Sequence, residues 1–274
     1  PLHVRQGEDR NWALRLKLIR DFGADKKWLT SPVQRANHTD ASNGGIHVFI
    51  DFSNILIGFQ KLLTQLNRLH PNQRAPLTNI SFDSLVLLLE RGRPVAKRVL
   101  AGSSGLAPSP PAFELAKAIG YDCNILDRVY KAKELTERQR RYKARAPSFG
   151  GQNSPEGGGS GMTAAGESPT HAPEKWMEQG VDEILHLKMM ESLVDIEAPG
   201  STMVLASGDA AEAEYSDGFL KMVERALKKG WNVEVVSWSE LLSSQYKRRA
   251  WAQQWGGKFR VITLDDYAEF LLDT

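Results

Sequence analysis

Short apolar runs alternate with amphipathic stretches along most of this 274-residue chain. The run IHVFID at 46–51 is almost wholly apolar and rich in β-branched and aromatic residues, which predicts a strand buried on both faces of a parallel sheet. Further apolar runs predict strands at 94–102, 121–129, 201–209, 231–238 and 258–264. Helical periodicity predicts helices at 55–69, 82–90, 112–119, 181–194, 218–229 and 240–250, and a closing helix at 265–273. This alternation predicts an α/β fold with a three-layer, doubly wound, mostly parallel sheet of Rossmann-like type.

Two stretches depart from this pattern. Residues 1–45 carry only one weak helical period, ALRLKLIRDF, and close on TDASNGG, so we assign them to an N-terminal appendage that is partly disordered. Residues 131–173 open with a basic helical stretch and continue with Gly, Ser, Pro and Ala without periodicity. Such a composition buries too little apolar surface to offset its ordering entropy, which predicts a disordered insertion. The domain at 46–274 is therefore interrupted once rather than divided in two.

Composition excludes several classes of protein. A formal charge of +2, from 35 Lys and Arg against 33 Asp and Glu, excludes a polycation, so contacts with nucleic acid depend on local clusters. The single cysteine, Cys123, excludes a disulfide framework and a four-cysteine zinc site. No run reaches the roughly 18 to 20 apolar residues that span a bilayer, and the first residues lack the apolar segment of a secretory signal. We expect an intracellular protein of the cytoplasm or nucleus that does not bind membranes.

Carboxylates follow the predicted strands. Asp51 ends the first strand, Asp209 ends the strand at 201–209, and Asp182 and Glu183 fall in the first turn of a helix. Glu212, Glu214 and Asp217 come shortly after. In an open parallel sheet the ligand crevice lies outside the carboxyl ends of the strands, so these groups converge if the strands are neighbours. Clustered carboxylates need a cation, and oxygen ligands without His or Cys favour Mg²⁺ or Mn²⁺. Metal-assisted phosphodiester hydrolysis is the chemistry typical of such a site.

Each of these residues also has a purely structural interpretation. Asp51, with Ser53 and Asn54 after it, is typical of an Asx turn or a helix cap. Acidic residues such as Asp182 are favoured in any first helical turn by the helix dipole. Asp209 follows Ser-Gly and is typical of a turn. A functional site is favoured because all of them lie at one predicted edge.

Four segments in this order resemble the NYN family of PIN-like metal-dependent ribonucleases. They are FIDFSN at 49–54, GVDEILHLKMM at 180–190, LASGDAAEAEYSDGF at 205–219 and KKGWNVEVVSW at 228–238. The resemblance covers about 46–129 and 175–270. It implies a sheet of strand order 3-2-1-4-5, in which the strands that end at Asp51 and Asp209 are adjacent. It also implies RNA cleavage that leaves a 5′-phosphate and a 3′-hydroxyl.

The same resemblance implies roles for individual residues. Asp51 is the expected central metal ligand, Asp182 and Asp209 complete the acidic cluster, and Asn54 orients a phosphate or an attacking water. Glu183 stands where some PIN-like members have a second acidic residue. The chain departs from the family after Asp209, because AAEAEYS intervenes before Asp217. The remaining ligand is Asp217 if the longer loop returns to the metal, and otherwise Glu212 or Glu214.

Two basic segments are candidate phosphate contacts. The residues predicted to bind substrate are Arg128, Lys131, Arg140, Arg141, Lys247, Arg248 and Arg249, with the hydroxyls of Ser53 and Ser207. We assign the Ser207 hydroxyl either to support of Asp209 or to a phosphate. The first basic segment is equally typical of a solvated helix, and Trp251 and Trp255 beside the second are more typical of a core. Single-stranded RNA is the expected substrate, largely because of the family resemblance.

The leading hypothesis is a ribonuclease, a hydrolase that uses Mg²⁺ or Mn²⁺. The alternative is a catalytically silent RNA-binding or scaffold protein that keeps the fold. A small-molecule phosphohydrolase is disfavoured, since Ser53 stands where its second Asp is needed. His47 and His186 have no partner at metal-ligand spacing and are assigned structural roles. Residues 1–45 and the insertion are the candidate regions for a protein partner.

Overall fold

The computed structural model describes residues 7–31, 45–66, 79–104, 110–131, 175–196, 200–211 and 216–273. Its strands are β1 (Ile46–Asp51), β2 (Asn79–Ile80), β3 (Val95–Ser103), β4 (Asp122–Leu126), β5 (Val129–Lys131), β6 (Lys175–Met177), β7 (Thr202–Ala206), β8 (Asn232–Ser237), β9 (Phe259–Thr263) and β10 (Leu272–Asp273). Its α-helices are α1 (Gly7–Asp21), α2 (Lys26–Leu29), α3 (Phe52–Leu66), α4 (Phe82–Glu90), α5 (Pro110–Ile119), α6 (Val181–Asp195), α7 (Gly218–Lys228) and α8 (Arg249–Gln253). Short 3₁₀ helices cover Gly23–Asp25, Gly256–Lys258 and Leu264–Phe270.

The central sheet contains six strands in the order β4-β3-β1-β7-β8-β9. All neighbouring strands are parallel, and Phe49 of β1 lies opposite Val99 of β3 and Leu205 of β7. Every residue of β1 is buried, as its continuous apolar sequence predicts. The predicted α/β fold with a parallel sheet is confirmed. Counted along the chain, the order is 3-2-1-4-5 with β9 as a sixth strand at the edge.

Helices cover both faces of this sheet and form three layers. Side chains of β1 alternate between the faces, so Val48 and Ile50 enter one apolar cluster and Phe49 enters the other. The first cluster includes buried residues of α1, α3, α4 and α5, and the second includes those of α6 and α7. β1 therefore lies in the middle of the core, and its last residue reaches the carboxyl edge of the sheet.

Residues 7–31, which the sequence assigns to an appendage, belong to this core. Leu14 and Leu18, one helical turn apart on α1, are fully buried, and so is Leu29 of α2. The Arg10 guanidinium donates a 2.6 Å hydrogen bond to the carbonyl of Leu272. The apolar stripe of α1 is narrow and interrupted by charged residues, which explains why periodicity alone gives a weak signal there.

A cluster of buried charges attaches the N-terminal segment to the sheet. Glu234 of β8 accepts hydrogen bonds from Arg91, Arg93 and Arg260, with both Arg93 contacts at 3.0 Å. Arg91 also donates through Nε to Asp25 at 2.7 Å. Together these pairs neutralise most of the charge that the fold buries at this point.

The helix predicted at 240–250 is wrong. Residues 239–248 form successive turns, and the helix that begins directly after them, α8, has only five residues. The Asp265 carboxylate accepts hydrogen bonds from the Ser239 amide and hydroxyl, both at 2.7 Å, and the Ser243 amide donates to the Gly208 carbonyl at 2.9 Å. These tertiary hydrogen bonds take the place of the backbone hydrogen bonds that a helix would form here. The closing segment predicted as a helix is the 3₁₀ helix Leu264–Phe270 followed by β10.

Residues 128–178 form a second compact unit. Its described part is an antiparallel ribbon of β5 and β6 in which Tyr130 lies opposite Trp176. Most of the predicted insertion at 131–173, including Arg140 and Arg141, lies outside the described residues. None of the helices in the described part of the chain combines the length and the apolar character needed to cross a membrane.

Candidate active site

Asp51 lies where β1 passes directly into α3, at the carboxyl edge of the sheet. Its side chain is almost fully buried, with 5% of the residue exposed. Oδ1 accepts a 3.0 Å hydrogen bond from the Asn54 amide, and Oδ2 accepts one of 3.0 Å from the Ser207 hydroxyl. The first of these bonds caps α3, so the structural interpretation of Asp51 holds. The two hydrogen bonds orient the carboxylate, and the dipole of α3 favours a negative charge at this position.

The Ser207–Gly208–Asp209 loop follows β7, the strand next to β1. The Asn54 side-chain oxygen accepts a 3.2 Å hydrogen bond from the Gly208 amide, and the Ser207 hydroxyl oxygen accepts one of 3.3 Å from the Asp209 amide. Ser207 therefore links Asp51 to the backbone of Asp209. The sequence assigned the Ser207 hydroxyl to Asp209 or to a phosphate; in the structure this buried hydroxyl accepts from the Asp209 amide and also donates to Asp51. Ser53 is likewise buried.

Gly208 is required by the close packing of this loop. A Cβ atom there would lie 2.3 Å from Ser237 Oγ and 2.6 Å from the carbonyl oxygen of Leu241. The turns at 239–248 thus press against the loop that carries Asp209.

Asp209 itself is partly exposed at the same edge. Its Oδ1 accepts a 2.8 Å hydrogen bond from the Ala211 amide, which is the turn predicted from Ser-Gly-Asp. Its carbonyl accepts a 3.1 Å hydrogen bond from the buried Tyr246 hydroxyl. Burial raises the pKa of Tyr246, and the charge of Asp209 raises it further, so the phenol stays protonated and donates. These contacts fix the backbone of Asp209 and one of its carboxylate oxygens.

The first turn of α6 also lies at the carboxyl edge. Ser192, near the end of α6, hydrogen-bonds the His47 ring at 3.0 Å, and His47 lies at the opposite end of β1 from Asp51. α6 therefore runs antiparallel to β1. Asp182 and Glu183 begin this helix and are partly exposed.

Several of the predicted acidic residues act on the same imidazole, that of His186. Burial lowers the pKa of this imidazole, while the nearby carboxylates of Glu183, Asp209 and Asp217 raise it. Arg225 lowers it further, and the net shift is downward. Carboxylates from α6, from the loop after β7 and from the start of α7 thus act on one imidazole, as expected for groups at one edge of the sheet.

Sequence reasoning missed this position of His186. Its Nδ1 hydrogen-bonds the Ser216 hydroxyl, and its buried Nε2 has no hydrogen-bond partner among the described residues. The available signal was its spacing of three and four residues from Glu183 and Asp182, which puts all three on neighbouring positions of one helix.

Asp217 is the N-cap residue of α7 and is exposed. It forms an ion pair with Arg225, which lies eight residues later on the same helix. Glu212 and Glu214, the other candidates for the remaining ligand, lie outside the described residues.

The chemistry of the donors fits a divalent cation shared with a phosphate. No three His, Cys, Asp or Glu side chains within the described ranges lie close enough to hold one metal ion, so Asp51, Asp182 and Asp209 do not form a complete ligand set. Mg²⁺, however, is commonly bound by only one or two carboxylates, with water and substrate phosphates as the other ligands. Asp51, at the end of β1, and Asp209, in the loop after the neighbouring β7, are two carboxylates joined through Ser207, which is the number that this mode needs.

Of the basic candidates, Lys247, Arg248 and Arg249 are exposed. They follow Tyr246 directly, and Tyr246 is bonded to Asp209, so this positive segment adjoins the acidic edge. Trp251 packs edge-on against Phe259 with ring centroids 4.7 Å apart, as a core interpretation predicts. Arg128 belongs to the second unit, as does the backbone of Lys131.

Comparison of the chain with family models, with curated proteins and with solved structures gave no match. The resemblance to the NYN family is carried by the sequence motifs alone.

Proposed function

We propose that this protein is an NYN-type ribonuclease that hydrolyses single-stranded RNA with Mg²⁺ or Mn²⁺ in the cytoplasm or nucleus. The observation that carries the proposal is the buried carboxylate of Asp51. It ends the central strand, and Ser207 and Asn54 join it to the loop that presents Asp209.

A carboxylate is costly to bury, and a helix is capped as well by neutral Ser or Asn side chains as by Asp. Here, hydrogen bonds from the Asn54 amide and the Ser207 hydroxyl fix the orientation of both oxygens of Asp51. Such support is typical of carboxylates that bind metals, whose hydrogen-bonding partners set ligand geometry.

Asp51 and Asp209 would hold the cation, with Asp182 and Glu183 adding negative charge at the same edge. A bound Mg²⁺ or Mn²⁺ supplies Lewis-acid stabilisation of the charge that develops on the phosphate oxygens. Lys247, Arg248 and Arg249 attract the RNA backbone and compensate its charge. Hydrolysis adds water across the P–O3′ bond and leaves a 5′-phosphate on one fragment and a 3′-hydroxyl on the other.

The test is cleavage of end-labelled single-stranded RNA by the full chain with Mn²⁺, Mg²⁺ or EDTA. Asp51→Asn and Asp209→Asn are expected to abolish metal-dependent cleavage, and Ser207→Ala to slow it about 10- to 100-fold. Asp9→Asn is the matched control, since Asp9 is an exposed residue of α1. Equal RNA binding by all variants, without cleavage under any metal, would instead identify a silent RNA-binding protein.

A further inference from the structure

Two large aromatic side chains face each other on the exposed side of the β5–β6 ribbon. Tyr130 and Trp176 are directly paired across the two strands, and their ring centroids are 5.5 Å apart. Tyr130 is 56% exposed and Trp176 is 64% exposed. Neither residue is part of the catalytic site proposed above.

The larger apolar side chains of the ribbon are its exposed ones, which is the reverse of what is found in a strand pair that packs on a core. Residues of a strand alternate between faces, so Val129 and its partner Met177 share the face opposite the aromatic pair. Val129 and Met177 are partly buried, whereas the larger apolar groups are exposed. The pairing of Tyr130 with Trp176 stabilises the ribbon, but burial in a core does not account for their outward position.

The rings meet at a tilt of 58° rather than in a parallel stack. More than half of each side chain remains open to solvent, so each ring offers surface to a planar ligand. A pair of adjacent aromatic surfaces matches the way in which proteins bind successive bases of a single strand.

The sequence at the ribbon and directly after β5 is basic, which favours a polyanion as the ligand. Arg128 precedes β5, and Lys131 pairs with Lys175 at the end of the ribbon. Between 128 and 146 the sequence contains eight Lys and Arg against two Glu. Exposed aromatic rings among basic residues are the combination that binds a nucleic-acid backbone and its bases together.

We propose that Tyr130 and Trp176 form a stacking platform for the bases of single-stranded nucleic acid. That this nucleic acid is RNA rests on the proposed function. In that case the platform binds the RNA that the proposed ribonuclease takes as its substrate.

The experiment measures binding of a fluorescein-labelled, 12-nucleotide single-stranded RNA to the full chain in EDTA, so that cleavage does not intervene. Trp176→Ala and Tyr130→Ala are each expected to raise the Kd about tenfold, and Trp176→Phe and Tyr130→Phe to keep it within about threefold of wild type. Trp12→Ala is the control, because Trp12 is equally exposed, at 64%, on α1. Unchanged thermal unfolding of the variants establishes that loss of binding is not loss of the fold.

Several results would overturn the platform. They are wild-type binding too weak to measure, a Kd that Trp176→Ala leaves unchanged, and an equal loss in Trp12→Ala. A dimer that Trp176→Ala dissociates without altering the Kd would assign the aromatic pair to self-association. The two proposals fail separately, because loss of cleavage in Asp51→Asn tests the nuclease in Mn²⁺, and the Kd of Trp176→Ala tests the platform without metal.

Discussion

Replacing Glu234 with Gln removes the only carboxylate that faces Arg91, Arg93 and Arg260 together among the described residues. Gln keeps the volume of the side chain and one oxygen acceptor but removes the charge. Glu234 is 3% exposed, and the three guanidinium groups lower its pKa to about 2 from 4.5 even though burial, the largest single effect, raises it. Among the described residues, the variant therefore leaves these three guanidinium groups with one ion-paired carboxylate, Asp25.

The pKa shift gives the magnitude. A depression from 4.5 to about 2 corresponds to about 3 kcal/mol of stabilisation of the folded state at pH 7. Because the folded pKa is the lower one, this stabilisation is complete above pH 4.5 and is lost as the pH falls toward 2. At pH 3 about 1 kcal/mol of it remains.

Urea denaturation of wild type and Glu234→Gln at pH 7 and pH 3 measures the difference in free energy of unfolding. We expect a difference of about 3 kcal/mol at pH 7 that shrinks by about 2 kcal/mol at pH 3. Glu240→Gln is the control, since the contacts of Glu240 are exposed: an ion pair with Lys61 at 3.6 Å and a 2.8 Å hydrogen bond from the Gln65 side chain. We expect a loss of about half a kcal/mol or less. A difference for Glu234→Gln that is the same at both pH values would refute the role assigned to its charge.

Three further predictions concern the site and the core. Gly208→Ala is expected to reduce the rate of RNA cleavage strongly while lowering the melting temperature only modestly. The new methyl group collides with Ser237 Oγ and the Leu241 carbonyl, which shifts the Asp209 loop. Cleavage rates and thermal melts of the same samples check this. Leu18→Ala is expected to cost about 2 to 5 kcal/mol in urea denaturation, whereas Leu16→Ala, at an exposed position of the same helix, costs little; similar losses in both would exclude α1 from the core. Burial, together with the charge of Lys97, lowers the pKa of His47 to about 4 from 6.5, so the folded protein is expected to lose stability as the pH falls from 6.5 toward 4. His47→Gln should make the melting temperature less dependent on pH between pH 7 and pH 4. Equal slopes of melting temperature against pH in wild type and variant would contradict this prediction.

The parallel sheet was predictable because its strands are continuous apolar runs, which few other arrangements bury on both faces. The residues that the sheet carries to its carboxyl edge, Asp51 and Asp209, were predictable for the same reason, since the strand end fixes where they lie. The adjacency of these two strands required the family resemblance. The structure places β1 and β7 side by side with Ile50 opposite Ala206.

Other features depend on tertiary contacts that carry no local signal. α1 has only Leu14 and Leu18 as fully buried apolar positions, too few to distinguish it from a solvated helix. The turns at 239–248 look helical in sequence, but bonds to Asp265 and to Gly208 decide their conformation. The contact of Ser207 with Asp51 was not predicted, because nothing in Ser-Gly-Asp indicates that the hydroxyl points back to the neighbouring strand.

The structural and functional interpretations of Asp51 do not compete. The Asn54 amide that completes the cap of α3 is also one of the two donors that orient the carboxylate, and the Asn54 side chain fixes Gly208 on the next strand. Removing the Asp51 carboxylate therefore perturbs a helix terminus and the Asp209 loop together. Asn at this position retains an oxygen for the cap, because Asn and Asp cap helices about equally well, but it loses the negative charge that a cation requires. For this reason Asp51→Asn separates the two roles, with stability nearly kept and metal-dependent cleavage lost.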